Sequence, residues 1–129
     1  LTEFCTGLTG ISQSDVDTAK RFAEVQDQLG EWLRPRNTEG WRWCSWGDYD
    51  RNQLKEDAFR AGVDVLLDPA RHINLKKCFW KIFACRALGL KCAVESMGLL
   101  WEGAHHRAID DARNLARLAQ LLLSARQPT

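Results

Sequence analysis

The apolar residues between positions 14 and 33 recur at the spacing of a helix. A Ser and an Asp precede them, which is typical of a helix N-terminus, so the pattern predicts one amphipathic helix over residues 14–33. The next apolar segment, residues 41–47, holds three tryptophans at nearly alternating positions and predicts a short strand. The residues that define the helix are Val16, Ala19, Phe22, Ala23, Val25 and Leu29.

The remaining pattern is mainly helical. Residues 50–63 repeat apolar positions at Leu54, Ala58 and Ala61, and residues 68–75 predict a turn followed by a brief extended segment. We expect further helices over residues 76–89, over a short stretch that ends at Gly98, and from Ile109 to Arg126. At least four helices and one or two strands indicate a helix-rich α/β domain.

Composition limits the class of protein. With 129 residues, 45% of them hydrophobic, the chain can build one core, so we expect a single domain over residues 1–129. A formal net charge of +1 provides no overall field for nucleic acid or an anionic membrane, so an anionic partner must be held by local contacts. Five cysteines, an odd number, indicate a reducing, cytoplasmic setting. No apolar run reaches membrane-spanning length, so we expect no membrane partner.

Asp111 lies at the start of the last predicted helix, in the stretch HHRAIDDARNLARL. The helical period places it on one stripe with Leu115, Leu118 and Leu122, which should pack inward. The adjacent Asp110 groups with Arg113, Asn114 and Arg117 on the opposite side, which should be solvated. Two interpretations of Asp111 remain open: a helix N-cap, or a metal ligand.

Asp50 has a similar position, where the predicted strand ends and a helix begins, in line with Leu54, Ala58 and Ala61. Two inward acids with a nearby histidine, His106, indicate a carboxylate cluster neutralised by a cation. Oxygen ligands favour Mg²⁺ or Mn²⁺ over zinc. A histidine such as His106 can take a proton from water near neutral pH, which a metal-dependent hydrolase requires.

Other candidate residues have simpler interpretations. The spacing of Cys78, Cys85 and Cys92 does not predict a metal site, and we interpret His105 as a partly exposed neighbour of His106. The six tryptophans are interpreted as core and groove wall rather than as a stacking platform. Tyr49 is close enough to Asp50 along the chain to touch a bound base.

These motifs resemble those of the DEDDh 3′→5′ exonucleases, in the exoribonuclease branch that trims RNA 3′ ends. His106, four intervening residues and Asp111 resemble the last motif of that family, and WGDYDRNQL, with Tyr49 and Asp50, resembles the middle motif. The stretch LTEFCTGLTGISQSDVD is similar to the segment that follows the first catalytic strands. The resemblance implies a ribonuclease H-like α/β fold with a mixed sheet flanked by helices.

The resemblance also implies a mechanism. Two Mg²⁺ (or Mn²⁺) ions are held by four acids, two of them Asp50 and Asp111, while His106 deprotonates the attacking water. Nucleoside 5′-monophosphates leave the 3′ end of RNA or another short single strand. The terminal nucleotide lies beside Tyr49 and the segment Leu8, Thr9 and Gly10.

The family's first motif, an Asp-x-Glu on a central strand, is missing from this sequence. Asp15-Val-Asp17 has a similar spacing but belongs to a capped helix start. We therefore expect the 129 residues to be the C-terminal part of a longer domain, inactive alone, and either self-associating or complemented by an N-terminal segment. The alternatives are a catalytically silent ribonuclease H-like module that binds nucleic acid or protein, and a DNA proofreading-type exonuclease.

Overall fold

We analysed a computed structural model, which describes residues 1–85 and 88–124. Each described strand is three residues long, whereas the helices span six to seventeen residues. Two 3₁₀ turns, Arg34–Arg36 and Pro69–Arg71, lie between them. The elements in chain order are α1 (Glu3–Thr9), α2 (Gln13–Thr18), α3 (Phe22–Leu33), β1 (Trp43–Ser45), α4 (Tyr49–Ala61), β2 (His72–Asn74), α5 (Leu75–Phe83), α6 (Leu90–Ser96) and α7 (Ala108–Ser124).

The chain divides into two compact units. The first comprises Leu1–Asp17 and Leu75–Thr129, and the second comprises Thr18–Asn74. In the first unit α6 packs against α7. Its buried apolar side chains come from three helices, and they are Leu75, Phe79, Ala93, Val94, Leu118 and Leu122.

The second unit contains the described sheet. β1 and β2 pair in parallel, with Trp43 opposite His72 and Ser45 opposite Asn74. Side chains reinforce the pair, because the Ser45 hydroxyl lies 2.8 Å from His72 Nε2 in a hydrogen bond and the Trp43 indole N–H donates to the Asp68 carbonyl at 2.9 Å. Helix α3 packs against α4. The α/β class predicted from the sequence is confirmed, and the described strands form a parallel pair.

The predicted helix over residues 14–33 is wrong as one element. The chain forms α2 and α3 instead, because Arg21 takes an extended backbone conformation and starts a new helix. The Arg21 backbone N–H donates to the Glu24 carboxylate at 3.0 Å, as in a capping box. A local bond between side chain and backbone therefore interrupts an otherwise continuous apolar period.

The other elements follow the prediction with shifted bounds. The predicted strand over 41–47 is confirmed as the shorter β1, and the extended segment over 68–75 contains β2. The helix predicted over 76–89 ends earlier, at Phe83, because Ala84 has a φ of 48°. The predicted end of the last helix, Arg126, lies outside the described residues.

The interpretation of the tryptophans as core and groove wall is confirmed only in part, because none of the six is fully buried whereas Trp41 and Trp43 line a cavity. All six lie in the described part, where Trp43, Trp46 and Trp101 are half-buried and Trp32, Trp41 and Trp80 are exposed. Among residues 1–85 and 88–124, no helix combines the length and the apolar character needed to cross a membrane.

Candidate active site

Asp111 lies in the first turn of α7, as its fourth residue. It is not the N-cap, so the capping interpretation is wrong, whereas the predicted stripe is confirmed because Leu118 and Leu122 are buried. The Asp111 Oδ1 atom is buried and accepts no hydrogen bond from any residue that the structure describes. A buried carboxylate oxygen without a donor is costly unless a cation neutralises it, so this atom fits a metal ion.

Asp110 has a different role from its neighbour. We expected it on a solvated face, but its side chain is only 18% exposed and its carboxylate accepts a hydrogen bond from the Ala104 backbone N–H at 3.0 Å. The same carboxylate faces Gly103, whose φ is 80°. A Cβ atom placed on Gly103 would lie 2.4 Å from the Asp110 carboxyl carbon, so a glycine is required there.

Asn114 is fully buried, which contradicts its predicted place on the solvated face. Its side-chain amide donates to the Glu102 carbonyl at 2.8 Å and to the Asp110 carbonyl at 2.8 Å, while its oxygen accepts from the Glu102 N–H at 3.2 Å. Arg117 adds a hydrogen bond to the Leu100 carbonyl at 2.8 Å and an ion pair with Glu102 at 3.1 Å. Helix α7 therefore holds the loop that leads to the histidines.

His106 lies on the turn between this loop and α7. It is exposed and has a φ of 66°, an unusual conformation for a residue with a Cβ atom. Its ring stacks on His105 at 3.9 Å, and the His105 ring lies 5.0 Å from that of Trp101 in an edge-on arrangement. His105 thus contributes an aromatic support for the His106 ring, which the interpretation of it as a mere neighbour did not foresee.

The segment Leu8, Thr9 and Gly10 ends α1, and Gly10 caps the helix with a φ of 71°. The Thr9 hydroxyl donates to the Cys5 carbonyl at 2.8 Å, whereas the Leu8 side chain is exposed. A Cβ atom on Gly10 would lie 3.6 Å from Arg107 Nη1. The first unit therefore brings this predicted substrate segment against the residue that follows His106.

Asp15 also belongs to a cap, as predicted. Its carboxylate accepts from the Ser12 hydroxyl at 2.7 Å and from the Ser12 backbone N–H at 2.8 Å, and the Ser12 hydroxyl oxygen accepts in turn from the Asp15 backbone N–H at 3.2 Å. The hydrogen bonds from Ser12 lower the pKa of the Asp15 carboxyl, with a contribution from the charge of Arg107. The presence of Asp15 at this position is therefore explained by its capping bonds at the start of α2.

Asp50 and Tyr49 lie at the start of α4 in the second unit. Both are exposed, so the prediction that Asp50 lies on a packed face is wrong. Of the stripe that the prediction used, Ala58 is buried, Leu54 is half-buried and Ala61 is exposed. Tyr49 is 75% exposed, so its ring is available to a ligand.

Two glycines of the first unit allow a direct test of the role of Asp110 in the loop over residues 100–106, which we call the histidine loop. Gly103 and Gly98 have similar φ angles, 80° and 75°, but only a Cβ atom on Gly103 meets Asp110. We expect backbone strain of about 1–3 kcal/mol in both Gly98→Ala and Gly103→Ala. In Gly103→Ala the displaced hydrogen bond of Asp110 adds about 1.5–3 kcal/mol. Chemical denaturation of the two variants checks the difference, and equal losses would contradict the role given to Asp110.

The comparison with protein families decides the identity. The profile of the RNase T family, described as Exonuclease, matches residues 1–119. The chain belongs to this exonuclease family. The predicted membership of the DEDDh exonucleases is thereby confirmed.

The chain also resembles individual proteins and solved structures of known exonucleases. It is 30% identical to 3′-5′ exoribonuclease 1 of Mus musculus, an alignment that covers 95% of this chain and 37% of the relative. The crystallographic structure of the nuclease domain of 3′hExo, a DEDDh family member bound to rAMP, matches with a TM-score of 0.88 and 25% identity over 98% of this chain and 66% of that one.

A structure that shows 3′-end specific recognition of the histone mRNA stem-loop by 3′-exonuclease matches with a TM-score of 0.87 and 23% identity, over 98% of this chain and 59% of that one. These likenesses confirm the predicted ribonuclease H-like fold. The chain spans about a third of the length of the mouse relative.

The carboxylate cluster predicted around Asp50, Asp111 and His106 is not found as a metal-ligand group in the described part of the chain. Within residues 1–85 and 88–124, no group of three or more His, Cys, Asp or Glu side chains is arranged to hold a metal ion. The five cysteines are free. The single-domain organisation and the cytoplasmic location stay predictions.

Proposed function

We propose that this chain is part of a metal-dependent 3′→5′ exoribonuclease that releases nucleoside 5′-monophosphates from the 3′ end of RNA. One observation carries the proposal: His106 projects from an exposed, left-handed turn, and the buried Asp111 oxygen, which has no donor in the described chain, follows in the first turn of α7. The name of the mouse relative and the rAMP in the 3′hExo structure support an RNA substrate.

Asp50 and Asp111 are the residues proposed to hold divalent cations, Mg²⁺ or Mn²⁺. Both supply carboxylate oxygens, the ligand type that these ions prefer, and Asp111 has an oxygen that no hydrogen bond in the described chain satisfies. When bound, such ions supply positive charge that polarises the scissile phosphodiester. The other two carboxylates come, in this proposal, from an Asp-x-Glu strand outside these 129 residues.

His106 is the proposed general base. Its exposed ring can accept a proton from the water that attacks the terminal phosphodiester, and the stack on His105 limits the orientations that the ring can take. The bonds of Asn114 and Asp110 to residues 102 and 104 fix the loop that precedes it. A general base must be positioned accurately to be effective, and this loop supplies that positioning.

Tyr49 and the segment Leu8, Thr9 and Gly10 are the proposed contacts to the terminal nucleotide. Tyr49 offers an exposed aromatic ring for a base or a ribose, and Leu8 offers an exposed apolar side chain. At Gly10 the proposed contact is made by the backbone, beside Arg107 Nη1, which would lie 3.6 Å from a Cβ atom at this position.

Asp110 and Asp111 are neighbours in the chain, so substitutions at the two positions distinguish binding of a metal ion from support of the histidine loop. We expect Asp111→Asn to weaken Mg²⁺ binding by at least about tenfold and to raise the melting temperature in EDTA, because the variant lacks a buried charge without a partner. Asp110→Asn should keep Mg²⁺ binding but lose about 0.5–1.5 kcal/mol of stability, because the bond to Ala104 is no longer assisted by charge.

Titration calorimetry with Mg²⁺ and thermal unfolding in EDTA measure the two effects, on protein to which an Asp-x-Glu segment has been fused. Unchanged Mg²⁺ affinity in Asp111→Asn would remove that residue from the metal site. The proposed activity itself is tested on the same protein with 3′-end-labelled RNA and DNA, in Mg²⁺ and in EDTA. Release of labelled nucleoside 5′-monophosphate from RNA in Mg²⁺ alone is expected, and preferential release from DNA would favour the proofreading alternative.

A further inference from the structure

The second unit contains a cavity of about 710 Å³ that the exonuclease proposal does not use. Two tryptophans, Trp41 and Trp43, and three arginines, Arg34, Arg42 and Arg71, contribute to its lining. The volume lies in the range of cavities that hold small organic ligands. Aromatic rings interspersed with guanidinium groups are typical of surfaces that bind single-stranded nucleic acid.

This cavity lies at the amino ends of the two parallel strands. Trp43 is the first residue of β1, and Arg71 directly precedes the first residue of β2. Asp50 and Tyr49 follow the carboxyl end of β1. The cavity is therefore separate from the two candidate site residues of this unit.

Trp41 provides an available stacking surface. Its side chain is 51% exposed, and none of the described ring contacts involves it, while its backbone N–H donates to the Thr38 carbonyl at 3.1 Å. Trp43 is fixed as a wall, because its indole N–H donates to the Asp68 carbonyl and its ring lies 4.4 Å from that of His72. A planar base can therefore stack on Trp41 without displacing another ring.

The charges of the cavity favour an anion. Arg71 lies 3.8 Å from the Asp68 carboxylate, whereas Arg34 and Arg42 form no ion pair in the described chain. Arg34 also borders an adjoining cavity, where Asp27, Glu31 and Asp64 would repel an anion. We therefore expect a phosphate that binds Arg34 to lie on the side of Arg42 and the tryptophans, away from these three acids.

We propose that this cavity binds a nucleotide within a single-stranded RNA, with a base stacked on Trp41 and the flanking phosphates held by Arg34 and Arg42. The choice of RNA as the ligand rests on the proposed function. The site does not depend on metal ions, so it can be tested independently of the proposed catalysis.

The test measures binding of 5′-fluorescein-labelled octauridylate, by fluorescence anisotropy in EDTA, to the chain fused to an Asp-x-Glu segment. Trp41→Ala should weaken binding about tenfold, within the range of one lost base stack, and Trp41→Phe should restore most of the affinity. Arg42→Gln should lower the slope of log K against log salt by about 0.7, as for one lost phosphate contact on a single strand. Controls are Trp80→Ala, at a tryptophan that is 52% exposed in the first unit, and Arg60→Gln.

Equal losses in Trp41→Ala and Trp80→Ala, or an unchanged salt slope in Arg42→Gln, would overturn the proposal. Equally tight binding of an octaglutamate peptide would also overturn it, because it would show a surface for anions in general. RNA binding that depends on Trp41, in a protein that never cleaves RNA, would contradict the exonuclease proposal alone. Cleavage with no effect of Trp41→Ala would contradict this site alone.

Discussion

Replacing His106 by alanine is expected to lower the turnover number for RNA by about 10²–10⁴, the usual contribution of a general base. Binding of RNA in the presence of Mg²⁺ should remain largely intact, because the substitution removes no proposed metal ligand. The exposed position of His106 means that its side chain supports no buried contact, so the variant should fold normally. Single-turnover kinetics and an equilibrium binding assay separate the two quantities.

His105→Ala is the matched control for this prediction. It removes the ring that stacks on His106 but leaves the proposed base in place, so turnover should fall by a smaller factor. A loss of binding equal to the loss of turnover in His106→Ala would contradict the role of a general base. An equal fall in turnover for both variants would show that the stacked pair acts as one unit.

The second large effect concerns the missing carboxylates. These 129 residues alone should release no detectable mononucleotide and bind Mg²⁺ weakly, because they supply two of the four acids that the proposed mechanism requires. Fusing an N-terminal segment that carries the Asp-x-Glu strand of a DEDDh relative should restore cleavage. The same segment with Asn and Gln in place of the two acids is the control, because it adds the strand without the charges.

Light scattering on the separate chain tests the structural side of this proposal. The described sheet has only two strands of three residues, and an isolated pair of this size is marginally stable. The separate chain should therefore self-associate, and the fused strand should return it to a monomer. A fully active monomer of the 129 residues alone would show that the metal site has been wrongly placed.

The sequence pattern predicts helix α7, which carries Asp111, more accurately than it predicts the residues that pack around α7. The stripe through Leu118 and Leu122 depends on local period, which a sequence displays directly, whereas the interval from His106 to Asp111 is a match to the family's last motif. The helical period predicts that Asn114 lies on the solvated face with Asp110 and Arg113. It is buried by a loop that folds back from residues 100–104, and a helical period contains no information about such a loop.

For Asp50 the error is the reverse, because the pattern predicts burial and the side chain is exposed. Its spacing from Leu54 and Ala58 suggested a packed face, but the start of α4 is exposed. The six tryptophans also lie outside the buried core, because an indole ring can bury one side and leave the other to solvent. Hydrophobic character predicts the average burial of a residue type, whereas the burial of one residue depends on the neighbours that tertiary structure brings to it.

The bonds of Asn114 and Asp110 have a consequence for the dynamics of the histidine loop. The amide hydrogens of Glu102 and Ala104 lie outside any helix or strand, yet each is donated to a side chain of α7. Their exchange with solvent requires the loop to separate from a helix that Leu118 and Leu122, on the same side as Asn114, anchor in the core. We therefore expect opening of this loop to be coupled to fraying of the first turns of α7, so that slow exchange of these two amide hydrogens reports on both.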